Sequence, residues 1–358
     1  MSSSYFSDIP HLTFVEVLER KDDALLRSVA ERFSGESLPP DKPRKEVIQL
    51  IADLILSGKK LPLLIREIVN LPFSTYLFMI FDVHGGEGKL RLHAEYCREV
   101  LRDVQDLFFL HRTEKEGEED WLFFYLPDDL HKLLIKHKKE IRNARIWIDN
   151  LLHMAISATR LYGVLTLTEF RDIIHRYGFQ EYLDLSVEDI RKIITTQRVS
   201  GDFEYFDPYL VYGEIIPIDK SKIFDCKNFL TERQGDRWYP QTPQDFMEFD
   251  HTFPFFRSAD FKPMEVFFRR HGVRARGSQD DLFLLIHRLV NQGRDLVDIA
   301  EIIARDCTKI DSKSFNELAD LIQDLHDGAR WCKYNGHTLK EIIHQKGLKT
   351  FQEKGGGE

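Results

Sequence analysis

The sequence predicts a mainly α-helical chain of several small modules, with winged-helix-like units that carry small β-hairpins. Three observations point there. Apolar residues recur at three- and four-residue steps through most of the chain, the signature of amphipathic helices. Twice, a group of helices is followed by a short pair of aromatic-rich runs, the order of a winged helix, a helix-turn-helix variant. Between 217 and 263 the periodicity stops and Pro, Asp and Phe accumulate, which separates what lies before from what lies after.

The first module is placed at 1–60. Two helices are predicted there, Phe14 to Phe33 and Arg44 to Leu56. Gly35 suits a helix end, and Pro43 sits ahead of the second helix, where its missing N–H costs least. Val47, Ile48, Leu50, Ile51, Leu54 and Ile55 give that helix one broad apolar face. A second module, 61–129, reads as helices Leu63 to Val69, Phe73 to Asp82 and Leu90 to Val104. Two strands follow, Leu107 to Leu110 and Trp121 to Leu126, joined by a polar tip from Thr113 to Asp120.

A third module, 130–216, starts with a polar helix, Leu130 to Asn143, and an apolar one, Ile146 to Leu161. The extended piece Gly163-Val164-Leu165 and helices Leu167 to Tyr177 and Val187 to Thr196 come next. A hairpin, Phe203 to Phe206 and Tyr209 to Tyr212, turns at Asp207-Pro208. Thr166 or Thr168 is placed to cap one helix, and Ser186 with Asp189 the next. Residues 217–263 are read as a partly ordered connector. The last module, 264–358, is helical, with helices at Met264 to His271, Asp280 to Gln292, Leu296 to Cys307 and Phe315 to Ala329.

Composition narrows the function classes. A chain of 358 residues, 42% hydrophobic and 30% charged, has material for two or three packed units. No run of eighteen apolar residues occurs, and Met1 to Pro10 lacks the basic-then-apolar order of a secretory signal, so a soluble, cytoplasmic protein without membrane contact is expected. The four cysteines, Cys97, Cys226, Cys307 and Cys332, fall at no zinc or redox spacing and read as buried thiols. No metal and no cofactor are expected. A net charge of −9 is the wrong sign for coating nucleic acid non-specifically, so any such contact has to come from local basic patches.

Enzyme motifs are weak. Gly85-Gly86-Glu87-Gly88-Lys89 lacks the spacing and the Ser or Thr of a phosphate loop. His131 and His137 are six apart, off one helical face, and no His-Glu-x-x-His occurs. The acidic runs Glu116 to Asp120 and Asp245 to Asp250 lie among turn residues. No catalytic residue is assigned, and a cryptic metal-dependent hydrolase ranks third.

Binding features rank higher. Lys132, Lys136, Lys138, Lys139, Arg142 and Arg145 stand against a single acid, Glu140, as a basic strip whose bland alternative is a solvated linker helix. Arg191, Lys192 and Arg198, with Thr195, Thr196 and Gln197, are types that reach phosphates and base edges from a recognition helix, although Glu188 and Asp189 sit in its first turn. Arg274 and Arg276 follow a helix end at Arg269 and Arg270 that the helix dipole already explains. The connector's Trp238, Tyr239, Phe246, Phe249, Phe253, Phe255 and Phe256 are expected to pack across neighbouring elements.

Leu25-Leu26-Arg27, Leu38-Pro39 and Arg44-Lys45-Glu46-Val47-Ile48 together resemble the helix-extended-loop-helix modules of the SAP type and of the N-terminal part of transcription terminator Rho. The phrases Leu161 to Phe170, Phe124 to Leu130 and Ala329 to Thr338 resemble cytoplasmic proteins of Gram-positive bacteria that often carry a SEC-C metal-binding motif. The zinc motif is missing here, so the resemblance implies fold and context without the metal. From these features follows an expectation of a non-enzymatic regulatory protein that binds nucleic acid, with a protein–protein adaptor for the transcription or translation machinery, or an effector-binding module, as the alternative.

Overall fold

The computed structural model describes residues 11–69, 89–93, 110–116, 119–197, 203–213, 222–233, 235–272 and 279–355. The chain is mainly helical, and its contacts divide it into two units. One comprises residues 1–149 with 196–198, the other 150–195 with 199–358.

The first unit opens with α1 (Phe14–Leu18), α2 (Asp23–Ser34), α3 (Arg44–Leu56) and α4 (Leu61–Val69). The single helix expected over 14–33 is thus two. The Asp22 side chain accepts from the Leu25 N–H and starts a new helix where continuation would leave it idle. Thr13 and Glu16 form a capping box at the start of α1, and Gly35, at φ 81°, ends α2 in the left-handed region that favours glycine. Phe14, Leu18, Leu26, Phe33, Ile51 and Ile55 fill the core beneath.

Two arginines of this module are spent on its own backbone. Arg27 donates to the carbonyls of Pro39 and Lys42, at 3.0 and 2.8 Å, and so pins the Pro-rich linker. Arg44 donates to the Glu19 and Lys21 carbonyls and pairs with Asp23.

Strands β1 (Lys89–His93), β2 (Leu110–Glu116) and β3 (Glu119–Tyr125) form an antiparallel sheet in the order β1-β3-β2. Residues 90–93, expected in a helix, are strand instead, because Lys-Leu-Arg-Leu-His alternates with period two and pairs with β3 in register Leu90 to Phe124. The expected polar tip lies mostly inside the hairpin strands. Lys115 stands opposite Asp120, an opposite-charge cross-strand pair that a ladder accommodates. The expected helix 73–82, the remainder of 94–104, residues 107–109, Gly85 to Gly88 and Cys97 lie outside the described residues.

Two helices follow, α5 (Asp128–Lys136) and α6 (Lys138–Tyr162), with their break at His137. The Phe14 N–H donates to the Asp129 carboxylate at 2.8 Å, and the Asp128 N–H donates to the Leu12 carbonyl, which ties the start of α5 to the start of α1.

In the second unit, the C-terminal part of α6 leads into β4 (Val164–Thr166), α7 (Leu167–Arg176), α8 (Val187–Gln197, within this unit as far as Thr195), β5 (Glu204–Phe206) and β6 (Tyr209–Val211). The sheet runs β4-β6-β5, all antiparallel, with Leu165 and Tyr205 both opposite Leu210. Thr166 with Glu169 caps α7 in a full capping box, and Ser186 with Asp189 makes the same reciprocal bonds ahead of α8.

The stretch 217–263 is more ordered than an aperiodic sequence suggests. Among its described residues are α9 (Lys222–Glu232), α10 (Pro243–Met247) and two 3₁₀ turns, Glu248–Asp250 and Pro254–Arg257. Phe246, Phe249 and Phe255 are buried, Phe255 stacked on Trp331 with ring centres 6.0 Å apart, so aromatic burial does here what periodicity does elsewhere. Arg233 and Arg237 both reach the Glu169 carboxylate, at 2.8 and 2.5 Å, fastening this stretch to α7.

Helices α11 (Phe261–His271), α12 (Gln279–Asn291), α13 (Leu296–Asp306), α14 (Ser312–Gly328) and α15 (Leu339–Gly355) complete the unit. Their shared core runs through Met264, Phe267, Phe283, Ile286, Ile299, Ile303, Leu318, Ile322 and Trp331. Cys226, Cys307 and Cys332 are buried free thiols. Among the described residues, no helix is long and apolar enough to cross a membrane.

Candidate functional site

The basic strip lies on α5 and the first part of α6, within the first unit. Leu130, Leu134, Ile141 and Ile148 are buried and His137 and Ala144 half-buried, a stripe at alternating four- and three-residue steps that passes through the break at His137. The His137 N–H donates to the Leu134 carbonyl and its own carbonyl accepts from Ile141, which keeps both helices on one face across the break. The opposite face is consequently continuous. Lys132, Lys136, Lys139 and Arg142 are exposed along it, with Ile135 and Ile146 uncovered at 42% and 49% of their surface.

These cations differ in what holds them. Lys132, Lys136 and Lys139 form no ion pair with a described residue. Arg145 is largely covered, at 12% side-chain exposure, and pairs with Asp149 at 2.6 Å, so it belongs to the helix rather than to the open face. Lys138 is half-buried, and Arg142, though exposed, has a partner of its own. The one acid in the strip, Glu140, is held below the usual carboxylate range by a backbone hydrogen bond and by His137 at 3.4 Å. It stays ionised and partly offsets Lys139.

Helix α8 presents a different surface. Ile190, Ile193 and Ile194 are buried, leaving Glu188, Asp189, Lys192 and Thr195 exposed and Arg191 half-exposed. Arg191 pairs with Glu188 at 3.1 Å and with Asp207, at the hairpin turn, at 3.3 Å. Asp207 also accepts from the Tyr205 hydroxyl at 2.5 Å; burial first, and this bond next, push Tyr205 up to about 12. Asp207 keeps Arg191 firmly protonated, above its ordinary range. The Thr195 hydroxyl is spent on the carbonyls of Arg191 and Lys192, at 2.8 and 3.2 Å. Of the residues expected to read bases or phosphates from α8, Arg191 and Thr195 are thus committed within the unit. Arg198, Arg274 and Arg276 lie outside the described residues.

The second unit also has an open cleft of about 480 Å³, lined by Trp238, Asp245, Arg257, Arg330 and Thr338 among others. Its cations are engaged: Arg330 lies 3.6 Å over the Trp238 ring and pairs with Glu341 at 2.8 Å, and Arg257 pairs with Glu248 at 2.7 Å. No group of three His, Cys, Asp or Glu side chains able to hold a metal occurs among the described residues. A grouping that sequence reasoning missed joins His326, Asp327, Lys333 and Tyr334, residues on α14 and on the 3₁₀ turn Cys332–Tyr334. No spacing rule marks it, because a change of chain direction at Ala329 brings the pieces together.

No protein-family model, curated protein or solved structure matches this chain.

Proposed function

We propose that this chain is a non-enzymatic regulatory protein that binds nucleic acid through the exposed face of α5 and α6. The observation that carries the reading is the row Lys132, Lys136, Lys139, Arg142, four exposed cations on one face whose span from 132 to 142 holds one acid, Glu140. Exposed, unpaired lysines are what phosphate neutralisation requires, and counterion release gives such a row affinity on a chain that is acidic overall. The order helix, strand, two helices and hairpin in 150–211 fits a winged-helix unit. In this reading it supports architecture or protein contact, since the cation at the centre of α8 is already paired with Glu188 and Asp207. The SAP- and Rho-like likeness of the first module fits the same assignment without adding a contact, because Arg27 and Arg44 serve its own backbone.

A second reading has its own observation. Ile135 and Ile146 are exposed on the same face, and apolar side chains between cations also suit an acidic amphipathic helix of a protein of the transcription or translation machinery. The two separate in a titration of the full chain against labelled duplex DNA, single-stranded DNA and structured RNA at several salt concentrations, beside a variant with Lys132, Lys136 and Lys139 replaced by alanine. Nucleic-acid binding gives a log-linear loss with salt, and the variant lowers the slope by about 2 to 3. No binding at low salt overturns the first reading.

A further inference from the structure

The second unit contains a hydrogen-bonded relay that ends on an amine. Asp327 Oδ1 lies 3.0 Å from His326 Nδ1, and Gln323 donates to the same oxygen at 2.9 Å, so the carboxylate is held in place. On the far side of the ring, His326 Nε2 lies 3.1 Å from Lys333 Nζ and 3.0 Å from the Tyr334 hydroxyl. A carboxylate on Nδ1 fixes the Nδ1–H tautomer and leaves Nε2 as the acceptor. The imidazole is further positioned through its backbone, since Trp331 Nε1 donates to the His326 carbonyl at 2.9 Å. The Lys333 backbone is held as well, its N–H donating to the buried Asn291 side chain at 3.2 Å.

Burial acts on the same groups. It lowers His326, and it lowers Lys333 to about 8. Lys333 keeps a route to solvent, for it is half-buried while His326 and Tyr334 are buried. A nucleophile within hydrogen-bond reach of a base, with a third group orienting that base, is the arrangement by which side chains are activated for covalent chemistry.

We propose that Lys333 is a reactive amine, a modification site for small activated acyl groups, with His326 as its base and Asp327 as the positioning residue. The ammonium first loses a proton to solvent. The neutral amine then attacks the acyl carbon, forming the N–C bond while the bond to the leaving oxygen or sulfur breaks. The leaving group departs with that electron pair, and His326 Nε2 takes the second proton from nitrogen. The product is an amide at Lys333, and one positive charge is lost from the second unit. This site is independent of the α5–α6 face.

The test uses the full chain and 4-nitrophenyl acetate at pH 7.5, with acetylation of each lysine followed over time by peptide mass spectrometry. Lys45 and Lys309 are exposed and serve as internal references. Lys333 is expected to acetylate at least about tenfold faster than either, since burial raises the neutral fraction of its amine at this pH and His326 stands beside it as a base. Its rate is expected to level off above pH 8. His326→Asn and Asp327→Asn are each expected to bring Lys333 down towards the references without altering Lys45 or Lys309, with an unchanged far-ultraviolet circular dichroism spectrum reporting an intact fold. Wild-type Lys333 reacting no faster than Lys45 and Lys309 overturns the proposal, and so does an undiminished Lys333 rate in His326→Asn.

Discussion

Helices α5 and α8 both carry basic residues along a helix in sequence, yet the structure gives them opposite availability. On α8 the central cation, Arg191, is paired within its own turn and with the hairpin, and the exposed positions beside it include Glu188 and Asp189. On α5 and the start of α6, Lys132, Lys136 and Lys139 point to solvent, and of the acids near them Asp128 and Asp129 are engaged by His11 and by the Phe14 and Leu130 N–H groups. What separates the two is where the acids lie, not how many cations there are. A basic residue three positions from a glutamate and across a turn from an aspartate is a structural tie; Lys132, three and four positions from acids that His11 and the Phe14 and Leu130 N–H groups already engage, stays available.

The largest effect should come from emptying the open face. Replacing Lys132, Lys136 and Lys139 with alanine removes up to three phosphate contacts, and the salt slope of binding is expected to fall by about 2.7. Far-ultraviolet circular dichroism should be unchanged, since these side chains are exposed on established helices. Equal salt slopes for the variant and the wild type would break the comparison at its centre.

Acid separates the two units by a different route. His287 is fully buried in a cage of Tyr212, Phe253, Phe255 and Trp331, neither ring nitrogen has a hydrogen-bond partner among the described residues, and burial drives it down to about 3. An unfolded histidine titrates near 6.5. Between these values the unfolded chain binds more protons than the native one, so stability is lost as pH falls from about 6.5 towards 3. At pH 5.5 the loss from this group is about 1.4 kcal/mol relative to neutral pH. Calorimetry at pH 7.5 and 5.5 should show the second unit melting earlier at the lower pH, and His287→Leu should flatten that difference. His287 belongs to the second unit, so binding measured at 25 °C should persist at pH 5.5 if the α5–α6 face is the contact surface.

How much of this was legible beforehand depends on which physical signal each element carries. Helices with periodic apolar faces are readable: α3 spans the predicted residues, and α12 to α14 differ from expectation by a few residues at their ends. The strip was legible as charge, but its exposure was not, because the break at His137 and the buried stripe from Leu130 to Ile148 have to be seen in three dimensions. In 217–263 the packing of the aromatics is legible from their density, but the short helix and turns that bury Phe246, Phe249 and Phe255 have no period to read. The loss of Arg191 as a reader was half visible in Glu188; its partner Asp207 lies sixteen residues on and becomes a neighbour only when the hairpin folds back. The relay at His326 had no sequence signal at all.

A smaller effect tests the α8 side of the comparison directly. Asp207→Asn removes one of the two acids that hold Arg191 and weakens the acceptor for Tyr205. If α8 lies away from the nucleic acid, the salt slope and affinity stay at wild-type values. If the freed guanidinium reaches a phosphate, the slope rises by up to about 0.9, and α8 regains the role its sequence suggested.

The smallest expected effect on nucleic-acid affinity discriminates best between the two kinds of partner. Ile135 and Ile146 are exposed among the cations, and serine at both positions should leave stability within about 0.5 kcal/mol, as surface substitutions generally do. Phosphate binding depends on charge, so the double serine variant should titrate nucleic acid with an unchanged salt slope and nearly unchanged affinity. A protein partner would instead bury both side chains, and apolar burial contributes about 25 cal/mol per Å² removed from water, enough for two isoleucines to dominate a small interface. Loss of binding in the serine variant with the lysines intact would therefore assign the face to a protein ligand, whereas loss in the lysine variant alone keeps it with phosphate.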